Sequence, residues 1–361
     1  MLEFDIAIHK GLDKMKKNPY SQTLDLKKGR VEMVHGAGGK AMSQLIEQLF
    51  ISRFDNPILA EQNDQASLLV PANKLVMATD SHVITPIFFP GGDIGALSVH
   101  GTVNDVVMSG AKALYLSCGF ILEEGYPLAD LVKIIDSMAN AAKEAGVKIV
   151  TGDTKVVEKG KGDGVFINTT GIGVITDGIE RGANKIQPGD KVIVSGTLGD
   201  HGVAIMSLRE NLTFETTILS DSQSLHDLVK VMIANTPEIR CMRDPTRGGL
   251  AATLNEIAQQ ANVGIQLYED TMPIKQQVKS ACEFLGLDPL YVANEGKLIA
   301  FCPADKADSL LATMQDHPQG ADAAIVGEVF VDDNNFVQLK TSFGGMRMVD
   351  WINGEQLPRI C

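Results

Sequence analysis

Four glycine clusters constrain this chain most: "HGAGGK" (35–40), "FPGGDIG" (89–95), "TRGGL" (246–250) and "SFGGM" (342–346). A residue without Cβ is favoured in tight turns and where backbone must approach a ligand, and it weakens the interior of a helix or strand. The regular elements must therefore fall between the clusters. With 35 glycines in 361 residues, such turns are a recurrent device rather than an accident.

Between the clusters, strand-like and helix-like patterns alternate. "AMSQLIEQLFISRF" places Met42, Leu45, Ile46, Leu49 and Phe50 at helical spacing. "KLVMATDSHVITP" predicts a strand running into an acidic turn, and "IGALSVHGTVNDVVMSGA" a buried helix whose small residues allow close packing. A strand over "KALYLSCGFIL", an amphipathic helix over "LADLVKIIDSMANAAKEAG" and strands over "KIVTGDTKVV" and "GVFINTTGIGVIT" follow. A Pro-Gly-Asp turn in "ANKIQPGDKVIVSGTLGDHG" restarts the pattern, with helices predicted over 222–235, 248–262 and 306–316. "IVGEVFVDDNNFVQLKT" predicts a hairpin.

The length suits two domains of about 150 residues each. The expected division is a polar, poorly ordered arm over 1–30, a first domain over 31–183, a second over 184–342, and a movable tail over 343–361. Net charge of −13 argues against a nucleic-acid binder but not against an acidic site for phosphate and a divalent ion. No apolar run of about 20 residues and no signal-like leader are present, so a cytoplasmic protein without a membrane span is expected. Five scattered cysteines (118, 241, 282, 302, 361) without C-x-x-C spacing argue against zinc and disulfides. Four of them read as packing residues. Cys361 is the last residue, in "LPRIC", so prenylation, which needs a cysteine four from the end, is excluded.

Asp64, Asp80, Asp105 and Asp153 each stand where a predicted element meets a turn. Singly, each suits a cap or turn. Together they are the hard oxygen ligands that Mg²⁺ bridging phosphates would use, with Lys155 as a point charge for phosphate. "HGAGGK" precedes a helix and offers an anion nest, although it lacks the Walker spacing. Asp244, Thr246 and Arg247 precede another helix start, where capping is an equal reading. On the residues alone, Glu295 and Lys297 read as a charge pair in a surface turn.

These stretches, in this order, resemble the superfamily of aminoimidazole ribonucleotide synthetase, selenophosphate synthetase and thiamine-monophosphate kinase. Within it they are similar to the carbamoyl dehydratases of hydrogenase maturation. "ANEGKL" (293–298) and the terminal "PRIC" are the discriminating segments, and the resemblance covers about residues 31 to 361. It implies an α/β (α+β) fold of two domains, the first dimerising through its sheet, and use of ATP and Mg²⁺. It assigns Asp64, Asp80, Asp105 and Asp153 to Mg²⁺–ATP, with Asn104 and Thr154 in the same stretches, and Lys155 to phosphate or transition-state charge. His35, Gly36, Gly38 and Gly39 would cover the nucleotide, and Asp244 and Arg247 would assist from the second domain.

The implied reaction is dehydration of a carbamoyl group on Cys361 to S-cyanide for the iron of [NiFe]-hydrogenase, with Glu295 as base. A HypF-like carbamoyltransferase would be the donor, a HypC–HypD complex the acceptor, and the chain a homodimer. Two other readings stay open: another ATP-dependent enzyme acting on a small molecule, and a non-enzymatic carbamoyl carrier.

Overall fold

The computed structural model describes residues 24–37, 40–60, 66–68, 74–176, 178–210 and 218–351. Asp64, Gly38, Gly39 and Cys361, expected to be functional, lie outside the described residues.

The first domain is built on a four-stranded sheet. In chain order its elements are α1 (Lys40–Leu45), β1 (Lys74–His82), the short pair β2 (Phe88–Phe89) and β3 (Gly92–Asp93), α2 (Ile94–Met108), β4 (Lys112–Glu123), α3 (Leu128–Glu144), β5 (Lys148–Val157) and β6 (Val165–Ile175). The order across the sheet is β1-β6-β4-β5, antiparallel except for β4 and β5, which α3 joins as a parallel pair. Helices α2 and α3 cover one face. Asp93 caps α2 by accepting the N–H groups of Gly95 and Ala96. A Cβ on Gly95 would lie 2.1 Å from the Ile134 carbonyl, so that glycine is what lets α2 and α3 touch. The helix beginning at α1 does not run evenly to Phe54: its turns over Ile46–Ile51 widen to π geometry.

The other face of this sheet is open. Directly paired residues share a face, so the row Ser81–Asn168–Gly119–Asp153 points away from the helices. Leu75 and Met77 stand on the same side, 60% and 71% exposed.

The second domain carries seven strands: β7 (Lys191–Val194), β8 (Cys241–Arg243), β9 (Gly264–Tyr268), β10 (Ile299–Cys302), β11 (Ala324–Phe330), β12 (Val337–Lys340) and β13 (Met346–Met348). Their order is β13-β12-β9-β11-β7-β10-β8. Five helices accompany them: α4 (Asp200–Arg209), α5 (His226–Asn235), α6 (Gly249–Ala261), α7 (Gln276–Leu285) and α8 (Ala304–Gln315). Leu228, Met232, Leu310 and Met314 of α5 and α8 belong to the same hydrophobic cluster as α2 and β4, so the two domains share a continuous core.

Three expectations change. β11 and β12 do not form a hairpin, because β9 lies between them, antiparallel to β11 and parallel to β12. Gly264 of β9 admits the Phe330 ring, which any Cβ there would meet at 2.4 Å. Residues 24–30 are not loose: the Arg30 guanidinium donates to the Gly125 carbonyl (2.6 Å), and Leu24 packs on the core. Residues 343–351 of the expected tail stay with the sheet, and 352–361 lie outside the described residues. β13 pairs with β12, Val349 is buried, and Asn255 donates to the Val349 carbonyl (2.9 Å). Gly344, at φ +83°, serves the β12–β13 turn.

Candidate active site

Polar side chains converge at the junction of the domains. A cleft of about 420 Å³ is lined by Asp80, His82, Asp105, Asp244, Arg247 and Glu295. Asp80 lies on the helix-covered face of β1, in register with Thr169, whose hydroxyl meets that of Thr102 on α2 (2.5 Å). Gly101 opens the space: a Cβ there would stand 3.0 Å from the His82 ring and 3.4 Å from Asp80 Oδ2. One turn further along α2, Asp105 reaches the same cleft. From the second domain, the loop between β8 and α6 contributes Asp244, Thr246 and Arg247. Gly249, at φ +60°, brings α6 against the backbone of Leu290 and Val292, where a Cβ would meet their carbonyls at 2.7 and 2.5 Å. That contact sets α6 beside the segment that ends in Glu295.

The electrostatics are those of carboxylates held together. Burial, reinforced by the charges of Asp244 and Asp80, pushes Asp105 up to about 7, against the pull of Arg243 and Arg247. Burial likewise raises Asp244 to about 6, opposed by its own backbone hydrogen bond and by Arg243. His82 lies 3.6 Å from Asp80 Oδ2, and burial lowers its pKa. Such a cleft favours a cation or an additional proton.

Of the expected residues, the structure brings together Asp80, Asp105, Asp244, Arg247 and Glu295. It separates Asp153 and Lys155 from them. These form an exposed ion pair (3.0 Å) on the open face of the sheet, on β5, three strands from β1, or about 14 Å at the usual strand spacing. Thr154 is buried on the opposite face from Asp153. His35 accepts the Glu32 N–H at Nδ1 (2.9 Å), and Gly36 lies against Val156, which puts this turn beside β5. Of the expected metal ligands that are described, Asp80 and Asp105 share the cleft and Asp153 stands apart. Among the described residues, no three His, Cys, Asp or Glu side chains converge to hold an ion by themselves.

Two further expectations are revised. Glu295 and Lys297 are 6% and 8% exposed, so they do not form a surface pair, and Lys297 stands 3.8 Å from Asp221 instead. Asn104 does not face the cleft. It is 1% exposed, with its amide committed to Gln223, Leu225 and Glu295. Sequence reasoning missed His82 and Asp221. A lone histidine in a strand and an aspartate in a polar loop carry no spacing signal.

The loop over 218–225 is held by buried histidines: His100 shares a hydrogen bond with Ser222 (3.0 Å) and His201 with Ser220 (2.8 Å). Burial lowers His201 to about 3, helped by Arg209. Its folded pKa is depressed, so the unfolded chain takes up the proton first, near 6.5, and stability is lost as pH falls. The raised carboxylates contribute in the opposite direction, so the comparison is made against a variant. Between pH 7 and 5, wild type is expected to lose about 2 kcal/mol relative to His201→Asn, at about 1.4 kcal/mol per pH unit below 6.5. Urea unfolding at each pH measures it; parallel curves would exclude a neutral buried His201.

Two domains in this order, sharing a core and closing on an acidic cleft, define an AIR synthase-related protein. The family profile "AIR synthase related protein, N-terminal domain" matches residues 62–175, and that of the C-terminal domain matches residues 187–340. The carbamoyl dehydratase HypE of Azotobacter vinelandii is 64% identical over 338 residues, covering 94% of this chain and 99% of its own. A crystal structure of hydrogenase maturation protein HypE in complex with ATP superposes with a TM-score of 0.88 at 48% identity, over 91% of this chain and 99% of that one. A HypE–HypF complex structure gives a TM-score of 0.75 at 50% identity, covering 85% of this chain and 99% of that one. Within the AIR synthase-related class, this chain belongs to the HypE family.

Proposed function

We propose that this protein is an ATP-dependent carbamoyl dehydratase of hydrogenase maturation, acting on a carbamoyl group carried by Cys361. The observation that carries this reading is the placement of Glu295 in one cleft with three carboxylates and Arg247, at the junction of the domains. The HypE relative with bound ATP and the one in complex with HypF support it.

Hydroxide is too poor a leaving group for an amide to lose water directly. The carboxamide oxygen therefore attacks the γ-phosphorus of ATP, ADP leaves, and the amide nitrogen gives up one proton. The resulting S-linked imidoyl phosphate then loses phosphate as the remaining N–H proton departs, and the C≡N bond closes. Glu295 is the group assigned to those protons. Arg247 faces the phosphate charge. Asp80, Asp105 and Asp244 are the carboxylates of the cleft that would hold Mg²⁺. When bound, the ion offsets charge on the transferring phosphoryl group.

Asp153, Lys155 and the His35–Gly36 turn remain nucleotide contacts in this reading. Asp153 and Lys155 stand on the open sheet face, and a homodimer formed by two such faces would enclose them. Met77→Asp is expected to shift the protein from dimer to monomer in sedimentation equilibrium; an unchanged mass would remove this face from the interface. A HypF-like donor, a HypC–HypD acceptor and a cytoplasmic location complete the proposal. Among the described residues, no helix is long and apolar enough to cross a membrane.

The test is intact mass spectrometry. With a carbamoyl-donating partner the chain gains a carbamoyl group, and added ATP then removes one water. A carbamoylated protein that keeps its water with ATP would favour the carrier reading. ATP turnover on a small molecule without mass change would favour the other enzyme.

A further inference from the structure

The backbone of Glu295 is held on both sides by groups remote in sequence. Its N–H donates to Asp221 Oδ1 (3.0 Å), and its carbonyl accepts from Asn104 Nδ2 (3.2 Å). The following carbonyl, of Gly296, accepts from Gln223 Nε2 (3.0 Å). No side chain fits at 296, where a Cβ would fall 1.8 Å from the Asp221 carbonyl. Both peptide units flanking Glu295 are therefore fixed.

Both donors of the Asn104 amide are used. Its Nδ2 also donates to the Gln223 carbonyl (3.0 Å), and its Oδ1 accepts the Leu225 N–H (2.8 Å). Asp221, 3% exposed, has Lys297 Nζ 3.8 Å from its other oxygen. Asn104 and Asp105 are neighbours on α2: one holds the Glu295 turn and the next lines the cleft.

We infer that Asn104 and Asp221 are positioning residues for Glu295, and that α2 sets the separation between the cleft carboxylates and the base across the domain junction. The inference rests on the assignment of Glu295 as base. A buried amide bonded to three backbone groups of the second domain is otherwise a costly way to join two domains whose apolar cores already merge. Geometry explains its value, because misplacing a reacting group by about 1 Å slows a reaction about 10²-fold.

The experiment uses the full-length chain, carbamoylated before ATP is added, and reads ATP affinity by calorimetry and single-turnover water loss by mass. Asn104→Ala is expected to bind ATP within about twofold of wild type and to lose water about 10- to 100-fold more slowly. In the double variant with Glu295→Gln, water loss is expected to be no slower than in Glu295→Gln alone, because the amide acts through that side chain. Asp221→Asn keeps the acceptor for the Glu295 N–H and is expected to stay within about threefold of wild type, whereas Asp221→Leu falls with Asn104→Ala. This pair carries the test if Asn104→Ala does not fold. Weakened ATP binding in Asn104→Ala, a wild-type rate in it, a multiplicative loss in the double variant, or equal rates in the two Asp221 variants would each overturn the inference. A wild-type rate in Glu295→Gln overturns the base assignment itself and the inference with it, so the two failures are told apart by that single variant.

Discussion

Carbamoylated protein carrying Glu295→Gln is expected to bind ATP normally and to lose water about 10²- to 10⁴-fold more slowly than wild type, the usual contribution of a positioned base. Glutamine keeps the shape of the side chain and its hydrogen-bonding reach, so the pinned turn over 294–297 is undisturbed. What it removes is the capacity to accept a proton. In the proposed reaction the first proton comes off nitrogen as phosphate is transferred and the second as the nitrile forms, so both halves are expected to feel the change. Phosphorylated protein would accumulate if only the second half were slowed, and the mass spectrum distinguishes the two cases. Normal water loss in this variant would remove Glu295 from the role.

Cys361→Ala is expected to abolish both mass changes: no carbamoyl gain with the donor partner and no water loss with ATP. The expectation is strong because the other thiols cannot substitute. Cys118, Cys241, Cys282 and Cys302 are all buried. Burial raises Cys241 and Cys282 to about 11, Cys302 to about 12, and Cys118 well above the ordinary range. At pH 7 a thiol of pKa 11 is ionised about once in 10⁴ molecules, against about 3% for one of ordinary acidity. The thiolate is the nucleophile, so acidity and access both select against the four core cysteines. A carbamoyl gain that persists in Cys361→Ala would place the acceptor elsewhere and favour a reading in which the terminal cysteine is incidental.

Much of the fold was legible locally. α3 and α6 fall where the apolar spacing predicts, since a helix is specified by contacts three and four residues away. Pairing was not legible. The turn after β11 is real, with Asp332 accepting the Phe336 N–H, but the strand that fills the gap comes from far earlier in the chain. The same limit governs the site. "TGDTK" identifies a strand with an aspartate, yet one residue of register decides which face Asp153 occupies, and it occupies the one opposite Asp80. A glutamate and a lysine around a glycine look like a solvated turn. The partner that buries them, Asp221, is 74 residues away, and no short-range pattern announces it.

The edge strand β13 gives the chemistry a kinetic form. Tyr291, four residues before Glu295, donates its hydroxyl to the Asp350 carbonyl (2.9 Å), so the root of the last segment is moored beside the segment bearing the base. From Trp351 to Cys361 the chain can extend at most about 35 Å, at about 3.5 Å per residue. From Asp350 back to Glu295, four residues, one tyrosine side chain and its hydrogen bond span at most about 25 Å. The modified cysteine can therefore reach the cleft of its own chain. A short tether of this kind holds its cargo at an effective concentration in the millimolar range, whatever the amount of protein in solution. If, as proposed, enzyme and substrate are one molecule, dilution is not expected to slow the encounter between carboxamide and base.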